Sequence, residues 1–140
     1  MARENMDSGA VLQKALLEYC ESLERIRDFF HVKVGESEGY PRILFDSLES
    51  RNANIDGVNT HIFRMSIWSA VENGEEAGEI ASLLRAKLTD PLANIAMEGH
   101  VLAELRYESC KTRYDANIRC WHALVEFRVV TLDEKYKEME

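Results

Sequence analysis

Residues 101–131 constrain the fold more than any other part of the chain, because two runs of alternating apolar and polar residues flank a loop signal at Asp115–Asn117. With those three residues as the loop, the apolar pairs are Tyr107–Val125, Leu105–Phe127, Ala103–Val129 and Val101–Thr131, and the charged pairs are Arg106–Glu126 and Glu104–Arg128. A two-residue shift sets Glu104 against Glu126 or Arg106 against Arg128, and like charges opposite each other destabilise a hairpin. A one-residue shift turns the apolar row to solvent. The segment therefore predicts an antiparallel hairpin with one face on a core.

Size and charge narrow the class of protein. A chain of 140 residues fits one domain, residues 1–140, that buries a core without metal or disulfide cross-links. The net charge of −8, from 17 basic and 25 acidic residues, argues against a protein that grips DNA. The chain has neither a ~20-residue apolar run nor a signal-peptide core, which predicts a cytoplasmic protein with no membrane contact. Three cysteines without a CxxC pair (Cys20, Cys110 and Cys120) predict free buried thiols in a reducing compartment.

An amphipathic pattern predicts a first helix that begins at Asp7 or Ser8 and runs to about Phe29. Its apolar positions recur every three or four residues: Leu12, Leu16, Tyr19, Leu23, Ile26 and Phe30. Residues 1–8 are expected to form a loose N-terminus, and residues 133–140 a charged C-terminal tail.

A first hairpin is predicted around Asp56-Gly57, a strong signal for a two-residue turn. That turn sets Glu49 opposite Arg64, and Phe45 opposite Trp68. Because residues 51–58 are polar, a longer loop is the alternative.

The second helix is marked by Asn73 and Glu76, which together predict a capping box, and it is stopped by Asp90-Pro91. Its buried stripe is predicted to be Ala77, Ile80, Ala81, Leu84 and Leu88. The order of elements predicts an α+β fold: a four-stranded or slightly larger antiparallel sheet with the N-terminal helix and the second helix on one face.

No set of residues predicts a reactive centre. His31, His61, His100 and His122 lack metal-binding spacings, and no GxSxG or glycine-rich phosphate loop is present. In the predicted register Cys110 lies beside His122, which we interpret as a neighbour pair near the hairpin end more readily than as a catalytic or metal pair. Trp68 and Trp121 are interpreted as core residues. The sequence thus favours a structural or interaction protein with no metal and no cofactor.

Three segments carry a family resemblance: FRMSIWSAVENGEEAGEIASLLRAKL (Phe63–Leu88), YDANIRCWHALVEFRV (Tyr114–Val129) and YPRILFDSLES (Tyr40–Ser50). The matching features are Trp68-Ser69 at a strand end, Glu76-Ala77 in the following helix, and Trp121-His122-Ala123 with Val125, Phe127 and Val129 in the last strand. Over about Val11–Thr131 the chain resembles the tail-terminator, or tail-completion, proteins of long-tailed phages and gene transfer agents.

The resemblance implies a virion protein of the head–tail neck, made in the bacterial cytoplasm. Such a protein assembles as a ring, typically of six subunits, on the upper end of the tail tube. The ring stops tube polymerisation and joins the tail to the head-side connector or stopper protein, while DNA passes through without specific binding. An acidic subunit suits such a conduit, because an acidic lumen repels phosphates. The resemblance implies no enzymatic activity.

The expected contact surfaces are the two hairpin tips and the charged tail. The residues predicted to make contacts are Arg51, Asn54, Asp56, Gly57, Arg113, Asp115 and Asn117. Each of them is also typical of a plain solvated loop. Two other functions stay open: a small-ligand-binding or hydrolytic domain whose pocket is lined by Trp68, Trp121 and His122, and a neighbouring role as a head-completion or minor tail protein.

Overall fold

Two long helices and four strands are formed by the residues that the computed structural model describes, which are 8–24, 26, 41–52, 57–70, 74–90, 93 and 95–133. In chain order they are α1 (Ser8–Glu21), β1 (Arg42–Asn52), β2 (Val58–Ser69), α2 (Glu75–Leu88), β3 (His100–Asp115) and β4 (Cys120–Asp133). The strands form an antiparallel sheet in the order β1-β2-β4-β3. The predicted α+β fold is therefore confirmed.

Both helices pack on the same side of the sheet, which we call the helix face. On β4 the buried positions alternate as the pattern predicts: Ala123, Val125, Phe127 and Val129 have 0% exposure. They form one apolar cluster with Leu12 and Leu16 of α1, Ile80 and Leu84 of α2, and Phe63, Met65 and Ile67 of β2.

An aromatic row crosses all four strands on the helix face. Phe63 stacks on Phe45 and on Phe127, with ring centroids 5.9 and 4.9 Å apart, and Phe127 meets Tyr107 edge to face. The guanidinium of Arg85 lies 4.0 Å from the centre of the Tyr107 ring, so α2 is also joined to edge strand β3.

The predicted stripe of α2 is confirmed, since all five of its residues are buried. The predicted cap is not: Gly74 occupies the N-cap without a side-chain hydrogen bond, and Asn73 lies outside the described residues. Glu76 instead accepts a 2.6 Å hydrogen bond from the Ser69 hydroxyl, which joins the end of β2 to the first turn of α2. The helix ends at Leu88, close to the predicted stop.

Helix α1 is shorter than its apolar periodicity predicts. It ends at Glu21, and the Ser22 hydroxyl donates to the Tyr19 carbonyl oxygen at 2.6 Å, a local bond that competes with helix continuation. Ile26 is nevertheless fully buried. The apolar pattern therefore indicates residues that contact the core, and these continue beyond the end of the helix. Ser8, expected in a loose N-terminus, is the buried first residue of α1. Residues 1–7, Phe29, Phe30 and 134–140 lie outside the described residues.

The predicted register of the β3–β4 hairpin is wrong, although the faces predicted for β4 and for Leu105 and Tyr107 are right. On β3, Leu102 packs against the core in place of the predicted Val101 and Ala103. The loop is 116–119, Asp115 pairs with Cys120, and β3 carries irregularities between Leu102 and Glu104 and between Tyr107 and Ser109. The loop is longer than predicted and begins one residue later, so the pairing is displaced from the turn onward. Each bulge in β3 inserts a residue into one strand only and then changes that displacement by one residue.

Charge pairing therefore does not set this register. Arg106 faces Arg128, the like-charge pair that the sequence disfavours. The guanidinium of Arg106 bonds the carboxylate of Glu108 on its own strand, at 3.0 Å, and Glu126 is paired with Arg64 of β2. Both charges are thus satisfied outside the predicted pairing, Arg106 by a residue of its own strand and Glu126 by a residue of β2.

The register predicted for the first hairpin is also wrong. Asn52 pairs with Asn59, so the connection is longer than a two-residue turn, in agreement with the alternative of a longer loop. A shift between Phe45 and Ser47 places Phe45 opposite Met65, and not opposite Trp68.

All three cysteines are free, as predicted, and Cys20 and Cys120 are buried while Cys110 is partly exposed. Burial, with a smaller contribution from Glu21, raises the pKa of the Cys20 thiol to about 12, which keeps it protonated and unreactive near neutral pH. Cys110 lies opposite Val125, so the predicted neighbour pair of Cys110 and His122 does not form.

Candidate interaction surfaces

The sheet side opposite the helices, which we call the open face, carries half-exposed and exposed side chains. It runs from the row Arg42–Trp68–His122–Arg113 to the row Arg51–Thr60–Val130–Glu104. Neither α1 nor α2 packs on it. Strands buried on one side alternate in this way, and the second side is left for solvent or for a partner.

An ion-pair network occupies the centre of the open face. The Nε atom of Arg64 donates to Glu126 Oε1 at 2.8 Å, while its Nη1 atom lies 3.3 Å from both Glu49 Oε2 and Ser47 Oγ. Burial alone lowers the pKa of Arg64, but the bonds to Glu126 and Glu49 outweigh it and raise that pKa. The network ties β1, β2 and β4 together and gives this face fixed side-chain positions.

Stacked rings lie at one end of the same face. The rings of Trp68 and His122 stack with centroids 4.1 Å apart, between Arg42 of β1 and Arg113 of β3 in the same row. The Nε2 atom of His122 is buried without a hydrogen-bond partner. Burial, and then the charge of Arg113, lower the pKa of His122, although Asp46 and Asp115 act in the opposite direction. The imidazole is therefore neutral near pH 7.

The pocket considered for a ligand-binding or hydrolytic domain does not form as predicted. Trp68 and His122 stand on the open face, whereas Trp121 packs against the core cluster on the helix face. A Cβ atom added at Gly74 would lie 3.0 Å from the Trp121 ring, so the start of α2 rests on that ring. The sheet separates the three side chains, because adjacent residues of a strand point to opposite sides.

The loop of the second hairpin is a rigid tip with apolar residues exposed. One carboxylate oxygen of Asp115 accepts hydrogen bonds from the backbone N–H groups of Asn117 and Ile118, at 2.9 and 3.3 Å. Ile118 is 48% exposed and Tyr114 is 50% exposed, whereas Arg119 adopts a positive φ of 55°. An Asx-type bond of this kind fixes the loop, so Asp115 shapes the tip and Ile118 and Tyr114 supply its apolar surface.

The structure places the predicted contact residues in two separate regions. Arg113 and Asn117 are exposed at the tip of the second hairpin. Arg51 is exposed near the loop of the first hairpin, and Gly57 has a φ of 82° and accepts a 2.8 Å hydrogen bond from the Asp133 N–H. Since β2 separates the two loops by roughly 36 Å at 3.3 Å per residue, they are distinct surfaces. Asn54 and Asp56 lie outside the described residues.

Sequence reasoning missed a buried polar cluster and the exposed tip residues. His61, with 0% exposure, lies 2.8 Å from Ser50 Oγ through Nδ1 and 2.9 Å from Thr131 Oγ1 through Nε2. Its Nε2 atom is also 3.5 Å from the hydroxyl of Ser8. The alternation of β2 would have placed His61 on the buried parity, but only the sheet order brings Thr131 to it. Ile118, flanked by loop residues, gave no signal of its own.

Within the described ranges, no group of three or more His, Cys, Asp or Glu side chains is placed to hold a metal ion. None of the helices described is both long and apolar enough to cross a bilayer.

These features define a two-layer α+β protein with an ordered, uncovered sheet face and a hairpin tip that exposes apolar side chains. The sequence profile of the family Tail completion protein gp17 matches residues 13–132. The chain therefore belongs to this family, and it is a structural protein of the phage-type tail, located in the virion.

The fold has a relative among solved structures. A chain in a structure described as the virion of a native gene transfer agent (GTA) particle is similar with a TM-score of 0.77 and 15% sequence identity. The similarity covers 91% of this chain and 98% of that chain. At this identity the likeness establishes the shared fold. No curated protein sequence matches the chain.

Proposed function

We propose that this protein is a tail terminator. Copies of the single domain form a ring, most simply of six subunits, on the upper end of the tail tube. The ring ends tube polymerisation and joins the tube to the connector or stopper protein on the head side. The observation that carries the proposal is the family match over residues 13–132 of a chain whose sheet keeps one face free of its own helices.

The surfaces support a mechanism of binding without catalysis. A subunit of such a ring needs separate surfaces for its neighbours and for its axial partners. The open face is ordered by the Arg64 network, and the tip of the second hairpin is ordered by the Asp115 bonds. Ordered surfaces lose little conformational entropy on association. The net charge of −8 favours passage of DNA through the ring without specific binding.

We also propose that the two hairpin tips make the axial contacts. They lie at opposite ends of β2, so one tip can face the tube while the other faces the connector. The predicted residues Arg51, Asn54, Asp56 and Gly57 belong to one of these contacts. Asp115 and Asn117 belong to the other, and the structure adds Tyr114 and Ile118 to them. The remaining predicted residue, Arg113, stands in a row of the open face and serves the contact between neighbouring subunits.

The test is to delete the protein and image the particles that form. We expect tail tubes of irregular length without attached heads, and restoration of normal particles by the wild-type chain supplied in trans. Labelled protein should be found as a ring at the head-proximal end of the tube. Tails of normal length joined to heads in the deletion strain would contradict the proposal. A label on the head, or along the tail, would indicate a head-completion or minor tail protein.

A further inference from the structure

We infer that the open face receives the outward side of α2 from the next copy in the ring, so that the ring contact is sheet face against helix. This inference rests on the proposed function, because it names the partner surface within the proposed ring.

Charge is distributed unevenly between the open face and the rest of the chain. The rows of the open face carry seven basic residues: Arg42, Arg51, Arg64, Arg106, Lys111, Arg113 and Arg128. They carry five acidic residues: Asp46, Glu49, Glu104, Glu108 and Glu126. The face thus has a net charge of +2 in a chain of net charge −8, so the acidic excess lies on other surfaces.

The acidic residues of the open face are largely engaged with their neighbours. Glu49 and Glu126 pair with Arg64, and Glu108 pairs with Arg106. Lys111 and Arg113, by contrast, are exposed side by side on β3, on the same side of the sheet. They are the cations best placed to attract a carboxylate from outside the subunit.

An apolar surface lies next to those cations. Leu44 is 37% exposed, Leu124 and Trp68 are partly exposed, and the Trp68–His122 stack keeps a buried imidazole nitrogen without a hydrogen-bond partner. An apolar centre edged by charge is the usual anatomy of a protein contact.

A complementary surface lies on α2. Its outward positions Glu75, Glu79, Ser82 and Ala86 are all exposed and follow a spacing of four, three and four residues, which is one stripe of a helix. The carboxylates lie in the first half of the stripe. The small side chains of Ser82 and Ala86 in the second half allow close approach to a sheet. The stripe therefore offers opposite charge to Lys111 and Arg113.

The charges of the two surfaces favour a contact between different surfaces over a two-fold contact. A two-fold dimer through the open face would set Lys111 and Arg113 against the same basic face, and like charges across an interface are unfavourable. A contact between different surfaces avoids this repulsion, and it closes into a ring when the rotation permits.

The experiment uses two charge-reversed forms of the full chain. One carries Lys111→Glu and Arg113→Glu, and the other carries Glu75→Lys and Glu79→Lys. Each form alone sets like charges across the contact, so we expect loss of rings at subunit concentrations at which the wild type is fully assembled. An equimolar mixture restores opposite charges at every contact if the two forms alternate. We therefore expect the mixture to recover rings with equal numbers of both forms, counted by native mass spectrometry.

The matched control is Lys14→Glu, the same exchange at an exposed position of α1, which should leave the rings intact. Thermal unfolding of each variant checks that the subunit itself is still folded. Assembly is measured on the free protein and on isolated tail tubes, and the variants are compared in the setting where the wild type forms rings.

Two outcomes separate the inference from the proposed function. If the wild type forms rings and either variant assembles equally well, or if the folded mixture fails to recover rings, the assignment of surfaces is overturned while the tail-terminator proposal stands. If the wild type forms no ring in solution or on tubes, the proposed function fails and the inference fails with it.

Discussion

Ring nitrogens buried in an apolar core need partners, and His61 finds them in hydroxyl groups from two other strands. A neutral imidazole donates through one nitrogen and accepts through the other, and a hydroxyl can serve either role. The side chains of Ser50 and Thr131 therefore each place a hydroxyl within hydrogen-bond distance of one ring nitrogen of His61. This cluster fixes β1 and β4 against β2 at the end of the sheet where α1 begins.

Removing one of these partners should destabilise the fold. For Thr131→Val we expect the free energy of unfolding to fall by about 1–3 kcal/mol, because His61 loses the 2.9 Å hydrogen bond at a site closed to water. Urea denaturation measures the change. Thr60→Val, on the half-exposed side of β2, is the control and should change stability by about 0.5 kcal/mol or less. Equal losses in the two variants would show that the bond to His61 contributes nothing.

The pKa of His122 should respond to a single neighbouring charge. Arg113→Gln removes one of the two causes that lower this pKa, so an NMR titration should give a higher pKa in the variant than in the wild type. The lowered pKa also determines how the stability of the fold depends on pH. A histidine with a lowered folded-state pKa favours folding above the unfolded value of 6.5, and that contribution declines as the pH falls below 6.5. Arg106→Gln, also exposed on β3, should leave the titration unchanged.

At the scale of elements, the charged side chains connect strands in an order that the hairpins alone do not reveal. Arg64 of β2 takes the carboxylate of Glu126 that the isolated β3–β4 hairpin would assign to Arg106. Bulges then let Arg106 pair along its own strand with Glu108.

A double-mutant cycle should distinguish the two pairings. Arg64→Gln and Glu126→Gln should show a coupling free energy of about 0.2–1 kcal/mol, because the two groups are bonded at 2.8 Å and are only partly exposed. The cycle of Arg106→Gln with Glu126→Gln should be additive in chemical denaturation. Coupling in the second cycle and additivity in the first would favour the register drawn from the sequence.

The junction of β2 and α2 depends on one short hydrogen bond. We expect Glu76→Ala to lower the free energy of unfolding by about 1.5–3 kcal/mol, since the charged acceptor of the Ser69 hydroxyl is lost. The control is Glu79→Ala, which removes an exposed carboxylate from the same helix and should be nearly neutral. Thermal unfolding compares the two. A Glu76→Ala variant as stable as the control would mean that the bond does not hold the helix to the sheet.

At the scale of the whole molecule, we expect the tip of the second hairpin to contribute to assembly and little to the stability of the subunit. Ile118→Asp should change the free energy of unfolding by no more than about 0.5 kcal/mol, because the side chain is half exposed and makes no core contact. The same change places a charge in the proposed axial contact, so we expect a loss of head–tail joining in complemented particles, counted by electron microscopy. Lys14→Ser on α1 is the control for both measurements. Normal joining by a folded Ile118→Asp variant would remove the tip from the contact.

Some features of this protein were determined by local sequence alone. The stripe of α2 and the buried parity of β4 depend on periods of 3.6 and 2, which any packed helix or strand must express. The free cysteines followed from their spacing, and residues spread over most of the chain carried the family resemblance that the family match confirms.

Other features were decided only by the tertiary structure. Loops longer than predicted displaced both registers at the turns, and bulges in β1 and β3 changed the displacement further along the strands. The role of Glu76 and the partner of Glu126 depend on side chains that other elements of the fold bring next to them. The sheet order places Trp121 on one face and Trp68 with His122 on the other. The periodicity of the sequence shows which side of a helix or strand is apolar. Which residues pack against that side depends on how all the other elements are arranged.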